Sequence, residues 1–175
     1  QAVQSRIHGF EILPAPFVVA HLQLGLLLTE LGAPLSPKER AGVYLTNSLT
    51  GWAASTEPRQ PSLWPELQEE ADAAAEVKRE APILVVLGNP PYNAFAGISP
   101  EEEGGLVEPY KTGLAETWGV KKYNLDDLYV RFFRLAERRI AATGRGVVCY
   151  ISNFSYLGDP SFVAMRQELL RSFDL

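Results

Sequence analysis

Residues 83–88 form a continuous apolar run, Ile-Leu-Val-Val-Leu-Gly, that leads directly into Asn89-Pro90-Pro91-Tyr92. A short apolar run with β-branched residues in its middle, stopped by glycine and proline, predicts a strand buried on both faces. The two prolines have no backbone N–H to donate, so the strand must end there. We therefore expect the four residues after Gly88 at the carboxyl edge of a sheet, where open α/β sheets bind ligands.

The four residues at this edge suit a planar group that carries an exocyclic amine. Asn89 Oδ1 and the Pro90 carbonyl can accept its two N–H bonds, while Pro91 shapes the turn. The Tyr92 ring can stack on the face of the group, at a gain of roughly 1–3 kcal/mol per base. Drawing lone-pair density toward the amino nitrogen makes it a better nucleophile without a strong base. The competing interpretation is a Pro-Pro turn with an asparagine cap and a partly buried tyrosine.

Apolar periodicity predicts strands and helices in alternation. The predicted strands are 6–13, 42–45, 83–88 and 147–151, and the predicted helices are 14–31, 65–78, 124–142 and 161–172. Asn124 is the predicted N-cap of the third helix, whose polar face carries Arg131, Arg134 and Arg138. Residues 93–122 are predicted to be a long irregular connection. The alternation indicates an α/β fold, a mainly parallel sheet with helices on both faces.

Composition narrows the class of protein. The 175 residues are 46% hydrophobic and 21% charged, which is typical of about one globular domain. No apolar run approaches the roughly 20 residues of a membrane span. Cys149 is the single cysteine and lies in an apolar run, which favours a core position and a reducing cytoplasm. His8 and His21 are interpreted as packing residues rather than bases, and no metal site is predicted.

Charge is distributed unevenly along the chain. The net charge is −5, yet residues 111–145 hold 8 Lys/Arg and 4 Asp/Glu, a local balance of +4. This basic segment suits phosphate contacts, and it equally suits the solvated face of a helix. A second polar feature is Glu11, at the end of the first strand, because an acid there can accept hydrogen bonds from ribose hydroxyls. The alternative for Glu11 is a surface residue at a strand end.

Asn-Pro-Pro-Tyr after an apolar strand resembles the catalytic motif of S-adenosylmethionine-dependent amino methyltransferases, above all the N6-adenine DNA methyltransferases. The resemblance implies a Rossmann-like methyltransferase fold. It implies a target adenine flipped out of double-stranded DNA, with its amino group held by the Asn89 side chain and the Pro90 carbonyl and its ring stacked on Tyr92. Pro91 would shape this catalytic turn.

The same resemblance assigns a cofactor site for S-adenosylmethionine. Glu11 would bind the ribose, and Ile12 would pack on the adenine ring. Asn47, with Ser48 beside it, occupies the position where the family commonly carries an acid that reads the adenine amino group. Asn47 can still accept that bond, although without charge. Asn89 would also border the cofactor.

The segment 123–132, with 146–151 and 155–157, resembles large single-polypeptide restriction–modification enzymes that carry nuclease, helicase and methyltransferase parts. The family's glycine-rich cofactor motif does not occur in this sequence. We therefore expect a partial catalytic domain whose partners are double-stranded DNA and missing upstream and downstream parts of the polypeptide. Residues 1–175 alone are expected neither to bind cofactor well nor to fold stably. The expected parts are a cofactor-side half (6–51), an insertion (52–82), the catalytic strand and loop (83–92), an irregular loop (93–122) and a target-base side (123–175).

Three other functions share parts of this pattern. An N4-cytosine DNA methyltransferase would use similar chemistry, although Ser-Pro-Pro-Tyr is more usual there. A protein-glutamine N5-methyltransferase shares Asn-Pro-Pro-Tyr and also methylates a planar NH2 group. The third alternative is a non-catalytic remnant that has kept the fold.

Overall fold

The computed structural model describes residues 5–52, 64–93 and 105–174. The chain divides into two compact units, Gln1–Ala81 and Pro82–Leu175, and each is described separately. Across the three described stretches, no helix combines the length and the apolar character needed to cross a membrane.

The first unit contains two short parallel strands and two helices. These are β1 (Gly9–Glu11), α1 (Pro14–Glu30), β2 (Val43–Leu45) and α2 (Pro65–Glu80). The strands pair in parallel, from Gly9 opposite Val43 to Glu11 opposite Leu45. Proline in the first turn of α1 and of α2 fits because the first N–H groups of a helix have no intrahelical partner. Both predicted helices are confirmed, whereas the strand predicted at 6–13 is shorter.

The apolar helix α1 buries none of its side chains completely. Several of its large apolar residues are exposed: Val18, Val19, Leu22, Leu26 and Leu27. Its apolar residues are spread around the helix rather than gathered into one stripe, so the helix has no single face to turn toward the strands. The helix itself was predictable from the sequence, but its degree of burial was not.

The second unit contains the remaining elements. They are β3 (Val85–Gly88), α3 (Glu108–Lys111), α4 (Leu128–Thr143), β4 (Val147–Tyr150), α5 (Ser155–Gly158), a 3-10 turn (Pro160–Phe162) and α6 (Val163–Ser172). Strands β3 and β4 pair in parallel, from Val85 opposite Val147 to Gly88 opposite Tyr150. The parallel pairing predicted from the alternation is thus confirmed within each unit. The complete methyltransferase arrangement of strands stays a prediction.

Helix α4 starts later than its sequence suggests. Its N-cap is Asp127, whose side chain accepts a hydrogen bond from Tyr129 N, so the prediction that Asn124 caps the helix is wrong. The chain ends α4 at Gly144, which has φ 77° in the left-handed region. Glycine is favoured there because it has no Cβ to clash. The helix ends at Thr143, one residue beyond its predicted end at 142.

The prediction that β3 and β4 are buried on both faces is wrong for the described residues. Leu87 is 72% exposed, and Val85 and Val147 are more than half exposed on the same face. Cys149, predicted to be a core residue, is exposed beside them. On the other face Tyr150 meets α4, with its ring 5.3 Å from that of Phe133. An apolar run shows that a strand can be covered, but it does not show which of its two faces is covered.

The core of the second unit lies between α3, α4 and α6. Its most buried members are Tyr110, Leu114, Leu125, Val130 and Met165. Two of them lie within the connection predicted at 93–122, so that prediction is wrong for residues 105–114. Four apolar side chains there become buried: Leu106, Val107, Tyr110 and Leu114. Residues 94–104, with the Glu101–Glu103 run, lie outside the described residues.

The face of α4 that was predicted to be polar is only partly exposed to solvent. Arg131 is 4% exposed, and Glu137 on the same helix is also buried. Arg134 contributes an ion pair of 2.8 Å to Glu137 Oε1. Arg138 is exposed, as predicted. Arginine on a helix can bury its stem and keep its guanidinium paired, so a row of arginines does not by itself mark a solvated face.

Candidate active site

Asn89 and Pro90 follow β3 directly and lie at its carboxyl edge, as predicted. The Asn89 side chain is exposed and makes no hydrogen bond to any described residue. Pro90 is buried. Because proline has no backbone N–H to donate, packing of its ring, rather than a hydrogen bond, holds this residue of the turn. With respect to the described residues, the Asn89 amide therefore keeps both its oxygen and its NH2 group available, next to a buried proline.

Tyr92 lies across the end of β4. Its hydroxyl donates a 3.3 Å hydrogen bond to the Ile151 carbonyl, and its ring centroid lies 5.8 Å from that of Tyr129. The Tyr92 side chain remains 50% exposed. A tilted aromatic neighbour on one side and solvent on the other leave ring surface available for stacking.

Asp127 joins the motif to α4. Its Oδ1 accepts a 3.0 Å hydrogen bond from Asn93 N and a 3.4 Å bond from Tyr129 N. Asn93 is the residue after Tyr92, so one carboxylate oxygen ties the end of the motif and the start of the helix together. Asp127 falls near the start of the helix predicted at 124–142, where Asn124 was the predicted cap. The available signal for the cap was that aspartate is a preferred N-cap residue. No local signal pointed to the bond with Asn93.

Tyr129 backs the Tyr92 ring from the protein interior. Burial raises the pKa of Tyr129 to about 12, the charge of Asp127 adds to the rise, and the Asn153 side chain opposes it. Tyr129 therefore remains a neutral phenol at physiological pH.

Residues 152–154 complete this edge, at the end of β4. The Ser152 hydroxyl is buried and has no hydrogen-bond partner among the described residues. Asn153 Oδ1 accepts a 3.0 Å bond from Ser155 N. Phe154 is 81% exposed, the largest exposed fraction among the large apolar side chains that the structure describes.

In the first unit, Glu11 and Asn47 lie at the carboxyl ends of paired strands. Thr46 N donates a 2.8 Å hydrogen bond to the Glu11 carbonyl, and this bond continues the parallel pairing past Leu45. Glu11 Oε1 accepts a 2.8 Å bond from Leu13 N, which orients the carboxylate. Ile12 is exposed beside it. The structure thus brings Glu11 and Thr46-Asn47 to one edge.

The turn after β2 is organised by local hydrogen bonds and by a buried lysine. Asn47 Oδ1 accepts a 2.9 Å bond from Leu49 N, and the Ser48 carbonyl accepts a 2.7 Å bond from Trp52 Nε1. Lys78 is almost fully buried, and its Nζ donates bonds of 2.7 to 2.9 Å to Thr46 Oγ1, the Asn47 carbonyl and the Thr50 carbonyl. The amide of Asn47 is therefore held in place on a fixed turn.

The two histidines contribute to packing, as predicted. His21 Nε2 lies 3.2 Å from the Val43 carbonyl, and its ring meets the edge of Phe17 at 4.6 Å. Burial lowers the pKa of His8, which keeps it neutral beside Tyr44. Within residues 5–52, 64–93 and 105–174, no three His, Cys, Asp or Glu side chains cluster as metal ligands.

The basic segment 111–145 is partly neutralised. Lys111 Nζ donates to both Asp126 oxygens, at 2.9 and 3.1 Å, and to Glu108 at 3.0 Å. Although burial opposes its charge, these carboxylates hold the pKa of Lys111 above its ordinary value. Lys121 and Lys122 are exposed. That the segment faces phosphates stays a prediction.

No protein-family model matches the chain, and no curated protein matches it. Solved structures do match. A cryo-EM structure of a DrdV–DNA complex is 24% identical, with a TM-score of 0.73 over 99% of this chain and 16% of that one. The ATP-dependent Type ISP restriction–modification enzyme LlaBIII bound to DNA is 24% identical, with a TM-score of 0.71 over 97% of this chain and 11% of that one.

A third match is a nuclease-deletion mutant of the Type ISP restriction–modification enzyme LlaGI in complex with a DNA substrate mimic. It is 22% identical, with a TM-score of 0.69 over 98% of this chain and 14% of that one. The chain therefore has a mixed α/β fold that also occurs as a segment of restriction–modification enzymes. It spans only 11% to 16% of the chains to which it is similar.

Proposed function

We propose that this chain is a catalytic part of an S-adenosylmethionine-dependent DNA methyltransferase that modifies the N6 amino group of adenine in a restriction–modification system. The observation that carries the proposal is the free Asn89 amide, held by a buried proline at the carboxyl end of a parallel strand with a half-exposed tyrosine beside it. The fold shared with restriction–modification enzymes solved with DNA supports the assignment.

The proposed chemistry depends on positioning. S-adenosylmethionine would supply a methyl group activated by its sulfonium. As the new N–C bond forms, the S–C bond breaks, S-adenosylhomocysteine leaves, and the methylated amine loses its extra proton to water. Asn89 Oδ1 and the Pro90 carbonyl would accept the two N–H bonds of the adenine amine and would stabilise the positive charge that develops on it. Tyr92 would stack on the ring and hold the amine in line with the methyl group. No group in this arrangement needs to act as a strong base on the ground-state amine.

The first unit carries groups that fit a nucleoside. The Glu11 carboxylate, oriented by Leu13 N, suits a pair of ribose hydroxyls. The exposed Ile12 side chain offers apolar surface for an adenine ring. Asn47 and Ser48, on the fixed turn after β2, would read the edge of that ring. These four residues would hold the nucleoside part of the cofactor.

The two enzymatic alternatives act on different substrates. The N4-cytosine reaction would use the same acceptors on a smaller ring. The glutamine N5 reaction would place a peptide amide in the same turn, but the fold is shared with structures solved with DNA, which favours a nucleobase.

The test uses the intact protein, labelled S-adenosylmethionine and mixed-sequence duplex DNA, with digestion to nucleosides and mass spectrometry. We expect N6-methyladenine, at least 100-fold reduced in Asn89→Ala, with cofactor affinity within a few-fold of wild type. Asn124→Ala, which changes an exposed asparagine outside the motif, is the matched control and should retain activity. Detection of N4-methylcytosine would instead identify cytosine as the target base. Labelled peptide in place of DNA would support the glutamine reaction, and no label in any acceptor would support the inactive remnant.

A further inference from the structure

We infer that Asp127 is a positioning residue that sets the orientation of the Asn89–Tyr92 turn. The inference rests on the proposed methyl transfer at that turn. Its effect passes through its hydrogen bonds with Asn93 N and Tyr129 N.

The motif has few ways to anchor its backbone. Pro90 and Pro91 have no N–H, so the first donors available after Asn89 are those of Tyr92 and Asn93. Asn93 N donates to Asp127 Oδ1 at 3.0 Å. The turn is therefore tied at its far end to a side chain that lies 34 residues away in the sequence.

The same carboxylate oxygen also positions Tyr129, whose ring packs behind the Tyr92 ring. Asp127 Oδ1 accepts from Tyr129 N at 3.4 Å, and the Tyr129 ring lies 5.8 Å from the Tyr92 ring. The backbone after Tyr92 and the aromatic side chain behind it thus share one reference point. A shift of that oxygen would move both together.

A helix cap alone would not require this arrangement. Val130 N already donates a 3.0 Å bond to the Asp127 carbonyl, so the first turn of α4 has a backbone bond of its own. Loss of an N-cap side chain lowers the stability of the helix without displacing a reacting group. Misplacing a reacting group by about 1 Å can cost 10²-fold in rate, so the two roles predict different consequences.

The test compares Asp127→Ala, Asp127→Asn and Gly144→Ala in the intact protein. Gly144→Ala strains the backbone at the other end of α4, because Gly144 has φ 77°. The added Cβ meets open space, so the substitution causes no steric clash. We expect Asp127→Ala to lower kcat by 10- to 100-fold with KM for S-adenosylmethionine within 3-fold. Asp127→Asn keeps an acceptor oxygen and should retain kcat within 3-fold. Gly144→Ala should retain kcat within 2-fold despite a comparable loss of thermal stability.

Hydrogen exchange at the backbone N–H of Asn93, which donates to Asp127 Oδ1, gives a second readout that does not depend on turnover. We expect faster exchange in Asp127→Ala, near wild-type exchange in Asp127→Asn, and no change in Gly144→Ala. Equal kcat losses in Asp127→Ala and Gly144→Ala, or unchanged protection of Asn93 in Asp127→Ala, would overturn the inference. If Asn89→Ala abolishes transfer while Asp127→Ala does not slow it, only this inference fails. If the wild-type protein methylates no DNA, the proposed function fails, and the exchange data still decide whether Asp127 orders the turn.

Discussion

The Tyr110 hydroxyl donates a 2.6 Å hydrogen bond to Glu137 Oε2, and both side chains are buried. Ser172 Oγ donates to the other carboxylate oxygen at 3.0 Å, and Arg134 forms an ion pair with that same oxygen. One glutamate of α4 thereby holds the segment before α4 and the end of α6. The pairing explains why residues 105–114 are packed rather than irregular.

The first prediction concerns Tyr110→Phe. Burial and the Glu137 charge raise the pKa of Tyr110, so its hydroxyl stays protonated and the bond persists over the physiological range. Removing the hydroxyl leaves a buried carboxylate oxygen short of a donor, which should cost about 1–3 kcal/mol. Hydrogen exchange of the α4 amides in the intact protein should report this loss. Tyr123→Phe, at an exposed tyrosine, is the control, and equal exchange in both variants would contradict the prediction.

The second prediction separates backbone strain from steric clash at two glycines. A Cβ on Gly146 would lie 2.4 Å from the Leu84 carbonyl oxygen, whereas one on Gly144 would meet nothing within 4 Å. Both have positive φ. We expect Gly144→Ala to cost about 1 kcal/mol, from strain alone, and Gly146→Ala to disrupt the start of the β3–β4 pair. Hydrogen exchange of the Val147 amide, bonded to Leu84 at 2.8 Å, should rise sharply only in Gly146→Ala. Similar exchange in both would show that the clash is relieved.

The third prediction is a pH dependence from Arg40 and Glu70. Although burial acts to raise it, hydrogen bonds from Arg40 and from Leu45 N hold the pKa of Glu70 below its ordinary value of 4.5. A carboxyl whose pKa is lower in the folded state stabilises that state above pH 4.5, and this stabilisation is lost as the pH falls through the folded-state pKa.

Exchange protection of the Leu45 amide tests this pH dependence. It should fall in wild type as the pH drops below 4.5, the ordinary pKa of a glutamate. Glu70→Gln should lack that step while sharing the titration of every other carboxyl. An identical pH profile in the two proteins would remove Glu70 as the cause.

The fourth prediction distinguishes the ring of Tyr92 from its hydroxyl. The proposed function uses the ring as a stacking surface, and the 3.3 Å bond to the Ile151 carbonyl is long. Tyr92→Phe should therefore keep methyl transfer within about 5-fold, whereas Tyr92→Ala loses the roughly 1–3 kcal/mol of stacking and should lower kcat/KM by at least 10-fold. Steady-state kinetics on duplex DNA provide the measurement. Equal losses in Tyr92→Phe and Tyr92→Ala would show that the hydroxyl, not the ring, matters.

Local patterns predicted the elements because their causes are local. Prolines at the start of α1 and α2, the left-handed Gly144 after α4 and the apolar runs of β3 and β4 all act within a few residues. The position of Asn89 at the carboxyl end of β3 followed from the same reasoning, since two prolines cannot extend a strand. The roles of Asn89 and Glu11 in catalysis and cofactor binding stay predictions.

The sequence by itself determined the four longer helices and the four strands, that the paired strands run parallel, and that Asn89-Pro90-Pro91-Tyr92 follows a strand. Only the tertiary structure decided which faces are buried. It exposed Leu87, buried Arg131, and brought Asp127 to Asn93 across 34 residues. The reason is physical: turn and capping preferences depend on neighbours along the chain, whereas burial and long-range hydrogen bonds depend on which elements pack together, and local preferences do not encode that.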